Sequence, residues 1–179
     1  MEGATVISET PRLQLRQVEL ADAAFLHRLL NEPSWLENIG DRGICSTADA
    51  ACYIRDQIRA PQRTLGYGMC LVQRKADGFP LGLCGLVKRD FLTHPDLGFA
   101  LLPEFAGQGY AAEAARSVIA AAGNLWRIAQ LYAITNLGNH RAVRLLERLG
   151  FERERSCALP QGGEVELYAT PVLGARLQL

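Results

Sequence analysis

The chain has 179 residues, with 19 Lys plus Arg balancing 19 Asp plus Glu for a formal net charge of zero, and a pI of about 6.8. That neutrality offers no electrostatic footprint for nucleic acid or an anionic membrane surface. Apolar residues make up 49% and charged ones 21%, a balance that builds a core and excludes a disordered chain. The length suits a single domain over residues 1–179, large enough to bury about 70% of its unfolded surface.

The first ten residues, MEGATVISET, lack the basic and apolar regions of a signal peptide. No apolar run approaches the ~18 residues needed to span a bilayer, so a cytoplasmic protein is expected. Arg12 to Arg16 alternates polar and apolar residues and predicts a strand. Ala21 to Asn31 places apolar residues at 25, 26, 29 and 30 and predicts a helix stopped by Pro33. The stretch SWLENIGDRGIC (34–45) reads as a long connection with an exposed Trp35, a candidate for acceptor binding. Ser46 or Thr47 then caps a second helix, with Ala48, Ala51, Cys52, Ile54 and Ile58 as its apolar side.

GMCLVQR, LGLCGLV and DLGFALL follow as three apolar stretches divided by turn signals, an antiparallel meander. An alanine-rich helix comes next, with Ala111, Ala115, Val118 and Ala122 on one face. A strand at QLYAIT precedes a helix from Asn139 to Leu149 that Gly150 ends. Two last strands fall near ERERSCAL and VELYATPV. The order β-α-α-β-β-β-α-β-α-β-β predicts a mixed α/β fold: a mostly antiparallel seven-stranded sheet with about four helices on its faces.

The five cysteines are scattered with no C-x-x-C pair, which reads as reduced thiols. His27, His94 and His140 have no ligand-type spacing, so no metal is assigned.

The chemistry concentrates where the third apolar stretch gives way to the alanine-rich helix, at LLPEFAGQGYAAEAA (101–115). Gly107 and Gly109 bare the backbone at a helix start, where free N–H groups and the helix dipole favour an anion. A P-loop would need Gly-Lys-Ser/Thr, which GQGYA lacks. Residues 107–112 match the dinucleotide pattern G-x-G-x-x-G/A, but the acidic ribose ligand roughly 20 positions on is missing; after Glu113 the next acidic residue is Glu147. A pyrophosphate loop of an acyl-CoA enzyme is the third design.

ALLPEFAGQGYAAEA together with YAITNLGNHRAVRLLERLGF resembles the two acyl-CoA signatures of the GNAT N-acetyltransferases. The opening ETPRLQLRQVELADAAFLHRLLNEP is similar to the branch containing the ribosomal-protein N-terminal acetyltransferases, so the resemblance spans about residues 9–172. It implies that acetyl-CoA is the donor, with its pyrophosphate on the loop of Ala106, Gly107, Gln108, Gly109, Tyr110 and Ala111. It further implies that the strand Leu97 to Leu102 holds the pantetheine arm, contacts that Leu101 and Leu102 would supply. That strand would splay from Leu131 to Thr135 to leave a slot for the thioester. Asn139 would hydrogen-bond the cofactor arm, with Asn136 nearby, and N–H groups near Phe99 to Leu102 would stabilise the oxyanion.

The sequence departs from the family at three positions. Ala106 stands where relatives carry Arg or Gln, Ala142 where this branch often has Ser, and Leu146 where many have a general-acid Tyr. Asp96 falls where relatives commonly have a Glu acting as base and is the catalytic residue expected here; the competing reading is a strand-edge charge facing solvent. Glu104 and Glu113 read as a loop-edge charge and a first-turn carboxylate.

A site with modest acid–base equipment suits a weakly basic amine. An α-amine with pKa near ~8 is about a tenth neutral at pH 7, while a lysine near ~10.4 is below a thousandth. The expected reaction is direct attack of a primary amine, such as a protein N-terminal α-amine, on the thioester. The alternatives are transfer of a larger acyl group and a non-catalytic acyl-CoA sensor. The only expected partner is the amine acceptor, with the chain as monomer or homodimer. Arg141, Arg144 and Arg148 form one basic helix face, read as solvated rather than as a contact for the nucleotide phosphates.

Overall fold

The computed structural model describes residues 4–173. Eight strands form one sheet: β1 (Val6–Glu9), β2 (Leu13–Gln17), β3 (Met69–Arg74), β4 (Pro80–Val87), β5 (Asp96–Leu101), β6 (Tyr132–Asn136), β7 (Glu152–Ala158) and β8 (Glu164–Ala169). Their spatial order is β1-β2-β3-β4-β5-β6-β8-β7, and only the β5–β6 pairing is parallel. The expected mixed, mostly antiparallel sheet is present, with one strand more than predicted. The extra one is β1, an edge strand half-open to solvent on both faces, so its sequence lacks the one-sided alternation that marks a strand.

The helices are α1 (Ala23–Leu30), α2 (Pro33–Asn38), α3 (Thr47–Tyr53), α4 (Ala60–Leu65), α5 (Tyr110–Asn124) and α6 (His140–Arg148). A π-helical segment, Ile54–Arg59, joins α3 to α4, so the run 47–65 is continuous and the described residues form five such helices. Pro33 begins α2 rather than stopping α1: a helix start has no carbonyl partner for its first N–H groups, and proline lacks that hydrogen. Ser46 caps α3 by accepting from the Asp49 N–H at 3.1 Å. The buried side of this run is Ala50, Ile54 and Ile58; Ala48 and Cys52, expected there, are exposed.

Two apolar layers sandwich the sheet. On one face α5 lays Ala114, Ala115, Val118 and Ala122 against Cys84, Leu86 and Leu97. On the other, Leu26, Leu29, Leu30 and Ile54 pack on Leu71, Leu83 and Leu102. Each such leucine contributes about 1.5–3 kcal/mol by leaving water. Along β5 the side chains therefore alternate, with 97, 99 and 101 toward α5 and 96, 98 and 100 toward α1 and α3. Cys70, Cys84 and Cys157 are buried and Cys45 and Cys52 exposed, all as free thiols; burial pushes the Cys70 thiol up to about 12. Among the described residues no helix is long and apolar enough to cross a membrane.

Candidate active site

The site begins where the sheet fails to close. β5 and β6 share a single registered pair, Asp96 with Tyr132, and the Tyr132 N–H donates to the Pro95 carbonyl at 2.9 Å. Beyond that point the two strands part. The Leu102 N–H donates to the Leu81 carbonyl at 2.9 Å. In an antiparallel ladder alternate residues bond to the same neighbour, so Ala100 and Gly98 also face β4. Phe99 and Leu101 therefore turn their N–H and C=O groups into the opening.

This register corrects one expectation. Leu102 has its N–H spent on β4 and its side chain fully buried in the core, so Leu101 rather than Leu102 can meet a ligand through the backbone.

At the end of β5 the chain makes the glycine loop. Gly107 has φ +75° and Gly109 φ +81°, the left-handed region that costs other residues about 1–2 kcal/mol. Gly109 is the N-cap of α5 and offers no side chain to the helix start. Among the described residues, no group accepts a hydrogen bond from the backbone N–H of residues 107–112. A Cβ on Gly107 would meet nothing within 4 Å. The result is an open cradle of donors at the positive end of a 15-residue helix.

Arg12 braces this cradle. Its Nη1 donates to the Gln108 carbonyl at 3.1 Å and its Nε to Glu113 at 2.6 Å, while its guanidinium lies 4.3 Å over the buried Tyr110 ring. The Gln108 side chain donates to the Glu104 carbonyl at 2.8 Å. Ala106 lines the groove beside it. Burial opposes ionisation of Glu113, but hydrogen bonds from Thr10 and Arg12 outweigh it and hold the carboxyl below its ordinary value. Glu113 and Glu104, the latter paired with Arg28 at 2.7 Å, are structural. Arg12 carried no signal in the sequence beyond its place in a strand.

The opening and the cradle belong to one groove of about 1400 Å³ that crosses the sheet edge. At its α5 and α6 end lie Ala111, Asn139, Arg141, Arg144 and Arg148. The Asn139 Oδ1 caps α6 by accepting from the Ala142 N–H at 3.1 Å; its amide nitrogen makes no hydrogen bond among the described residues. The three arginines, read as a solvated face, are exposed but border the groove, and none forms an ion pair among the described residues.

At the opposite end lie Trp35, Arg42, Tyr53, Arg89 and Asp96. Asp96 does not face solvent. It is 2% exposed and accepts from the Arg89 Nε at 2.9 Å. Burial pushes its carboxyl above the ordinary 3.8, and the Arg89 charge pulls part of the way back. Burial likewise raises the Tyr53 hydroxyl, against the charges of Arg42 and Arg89. Those three residues were not foreseen; they lie outside the glycine motif, and only folding brings them to Asp96.

Trp35 was expected to be exposed and is 6% exposed, because α2 forms and turns it inward. Its Nε1 is buried without a hydrogen-bond partner among the described residues. Asn136 also differs from expectation: its amide donates to the carbonyls of Glu37 at 3.3 Å and Asn38 at 3.1 Å. The last carbonyls of a helix need outside donors, so Asn136 fastens α2 to the end of β6, and its donors are not available to a cofactor.

Residues 12–152 match the acetyltransferase (GNAT) domain. The chain belongs to the GNAT acetyltransferase family. This GNAT acetyltransferase is an acetyl-transferring enzyme, for which the sequence resemblance implies acetyl-CoA as donor. It is 28% identical over 156 residues to YkkB, an uncharacterized protein of Bacillus subtilis (strain 168), covering 82% of this chain and 86% of that one. Its fold is that of an acetyltransferase from Agrobacterium tumefaciens str. C58, with TM-score 0.77, 22% identity and 90% and 92% of the two chains covered. The ribosomal L7/L12 α-N-protein acetyltransferase RimL, solved with coenzyme A, has the same fold at TM-score 0.79 and 18% identity, over 93% and 98% of the chains.

The residues present fit the donor. Six uncommitted N–H groups at a helix start suit a pyrophosphate, and the two free strand edges of the slot suit an amide-bearing arm. The Asp96 end of the groove lies across the sheet from the cradle.

Proposed function

We propose that this GNAT acetyltransferase transfers the acetyl group to a primary amine, with a protein N-terminal α-amine as the preferred acceptor. The observation that carries the reading is the cradle of six N–H groups at residues 107–112 opening onto the slot between β5 and β6. These N–H groups hold the pyrophosphate. Leu101 pairs its backbone with the pantetheine arm, and the Asn139 amide nitrogen donates to the same arm. Arg141, Arg144 and Arg148 face the nucleotide end of the groove and supply positive charge to its phosphates.

Acetyl-CoA supplies an activated thioester carbon. The Phe99 N–H lies where it can bind the carbonyl oxygen as charge builds there. Asp96 accepts the proton that the amine must lose, a role for which an upward-shifted carboxyl is better suited than an ordinary one. Its residual attraction to Arg89 keeps it oriented. The Trp35 Nε1 donates to a carbonyl or hydroxyl of the acceptor, a bond it lacks in the free protein.

The acceptor follows from proton arithmetic. Asp96 is the buried carboxylate of the groove, Asp49 being held by Ser46 and the Cys45 N–H and Asp56 by Arg55. A single such base serves an amine that is about a tenth neutral at pH 7 far better than a lysine below a thousandth. The test is purified protein with acetyl-CoA and paired peptides, one with a free α-amine and no lysine, one N-blocked with a single lysine. Thiol release and mass spectrometry should find the acetyl group on the first peptide. Acetylation of lysine alone would overturn the acceptor assignment, and no transfer to any amine would leave a cofactor-binding sensor.

A further inference from the structure

Of the two strand segments that flank the slot, β5 presents Gly98, Phe99, Ala100 and Leu101, and β6 presents Ala133, Ile134, Thr135 and Asn136. Thr135 carries the one hydroxyl among them. It is 6% exposed, it lines the groove, and its Oγ1 is buried with no hydrogen-bond partner among the described residues. A buried hydroxyl left unpaired costs about 1–3 kcal/mol, so a fold that keeps one there has a use for it. The two faces of β6 alternate, and Ala133 packs in the layer beneath α5, so Thr135 points to that side of the sheet.

Its height along the slot is fixed by register. The parallel pair Asp96 with Tyr132, carried three residues onward on each strand, sets Phe99 opposite Thr135. Phe99 is the residue whose free N–H faces the slot and which we assign to the thioester carbonyl oxygen. The atom bonded to that carbonyl on the donor side is sulfur. Of the other groove hydroxyls, those of Ser34 and Tyr53 belong to α2 and α3, on the opposite face of the sheet, and that of Tyr110, at the start of α5, is engaged by Arg74. α6 lines the groove with Ala142, Leu145 and the three exposed arginines, none of which carries a hydroxyl.

We infer that Thr135 is a further catalytic residue, whose hydroxyl donates a hydrogen bond to the sulfur of the donor as it leaves. This rests on the proposed function. In the step, the amine nitrogen bonds to the carbonyl carbon and the carbon–sulfur bond breaks, with its electron pair passing to sulfur. The amine proton goes to Asp96, while the Thr135 proton stays on its oxygen and is shared with the thiolate. A thiolate gains more from a donor than a thioester sulfur does, so the bond strengthens as charge develops and favours bond cleavage.

The experiment needs no acceptor. Calorimetry at about pH 9, where a coenzyme A thiol of Cys-like pKa near ~8.5 is mostly thiolate, measures coenzyme A and desulfo-coenzyme A on wild type, Thr135→Val and Thr135→Ser. Valine keeps the branched shape and removes a hydroxyl that has no protein partner to lose, so the melting temperature should hold. Thr135→Val should weaken coenzyme A by roughly tenfold to a hundredfold, the scale of a hydrogen bond to a charged group, and leave desulfo-coenzyme A unchanged. Thr135→Ser should restore most of the loss. Equal weakening of both ligands would make Thr135 a packing residue, and no weakening of either would remove it from the sulfur; both overturn the inference alone. Wild type that binds neither ligand would overturn the cofactor site itself and the inference with it.

Discussion

Replacing Asp96 by Asn separates a base from a bystander, because the change removes the lone pair that accepts a proton while keeping an oxygen for Arg89. The Arg89 Nε lies 2.9 Å from the Asp96 Oδ1, a distance that an amide oxygen can reproduce. Arg89 keeps 29% of its side chain exposed, so losing the negative partner does not strand a fully buried charge. The cost is then nearer a single charge-assisted hydrogen bond, about 1.5–3 kcal/mol, than the roughly 3–5 kcal/mol for breaking a sealed pair. For a chain of this size that is a fall of roughly 3–12 °C in melting temperature. The effect on kcat at pH 7 should be far larger in proportion, roughly 10²-fold. The variant should also lose a pH signature. Because burial raises the folded pKa above 3.8, wild-type kcat should climb through an acid limb displaced upward from that value. The folded protein holds this proton more tightly than the unfolded chain. Its contribution to stability is therefore present below 3.8 and lost as pH rises through the folded value. Both features should vanish in the variant, and raising the pH toward the amine's own pKa should narrow the kcat gap. Saturating acetyl-CoA and one identified peptide acceptor suffice for the assay. Near-equal kcat at pH 7 would refute the base assignment, and a raised acceptor KM with unchanged kcat would make Asp96 an acceptor-binding group.

Wild type should gain about 2.7 kcal/mol from acetyl-CoA at a hundred times its Kd, visible as a rise in melting temperature, while NAD gives none; Gly109→Glu should abolish the rise, since a side chain at φ +81° is strained and its charge repels pyrophosphate. A folded Gly109→Glu variant with normal affinity would clear the loop of phosphate binding. Trp35→Phe keeps most of the buried bulk and deletes Nε1; acceptor KM should rise about tenfold with acetyl-CoA affinity intact, and an unmoved KM would return Trp35 to the core. Arg144→Ala with Arg148→Ala should weaken acetyl-CoA several-fold at low salt and much less at high salt, because exposed charges are screened; identical binding at low salt would make the stripe a solvated face.

Short-range rules account for what the chain reveals unaided. Apolar runs bounded by turn residues locate β3, β4 and β5, and a 3.6-residue period with caps locates α5 and α6, because hydrogen-bond geometry repeats locally. Gly107 and Gly109 announce their loop for the same reason: a positive φ is a property of one residue and its neighbours. That most of the sheet is antiparallel, and that bare backbone N–H groups open α5, are likewise written in a few adjacent positions. The folded molecule alone decides what depends on partners distant in sequence. Ser34 to Cys45 carries loop-like glycines, yet α2 forms and buries Trp35, fastened by Asn136 about a hundred residues away. Asp96 looks like any charge at a strand start until the sheet buries it and brings Arg89 against it. Leu101 and Leu102 are identical in sequence, and the ladder to β4 gives one a free backbone edge and commits the other to Leu81. The unpartnered hydroxyl of Thr135 exists only because β5 and β6 part after one pair. Burial, pairing and strand separation are sums over long-range contacts, and no window of the sequence contains them.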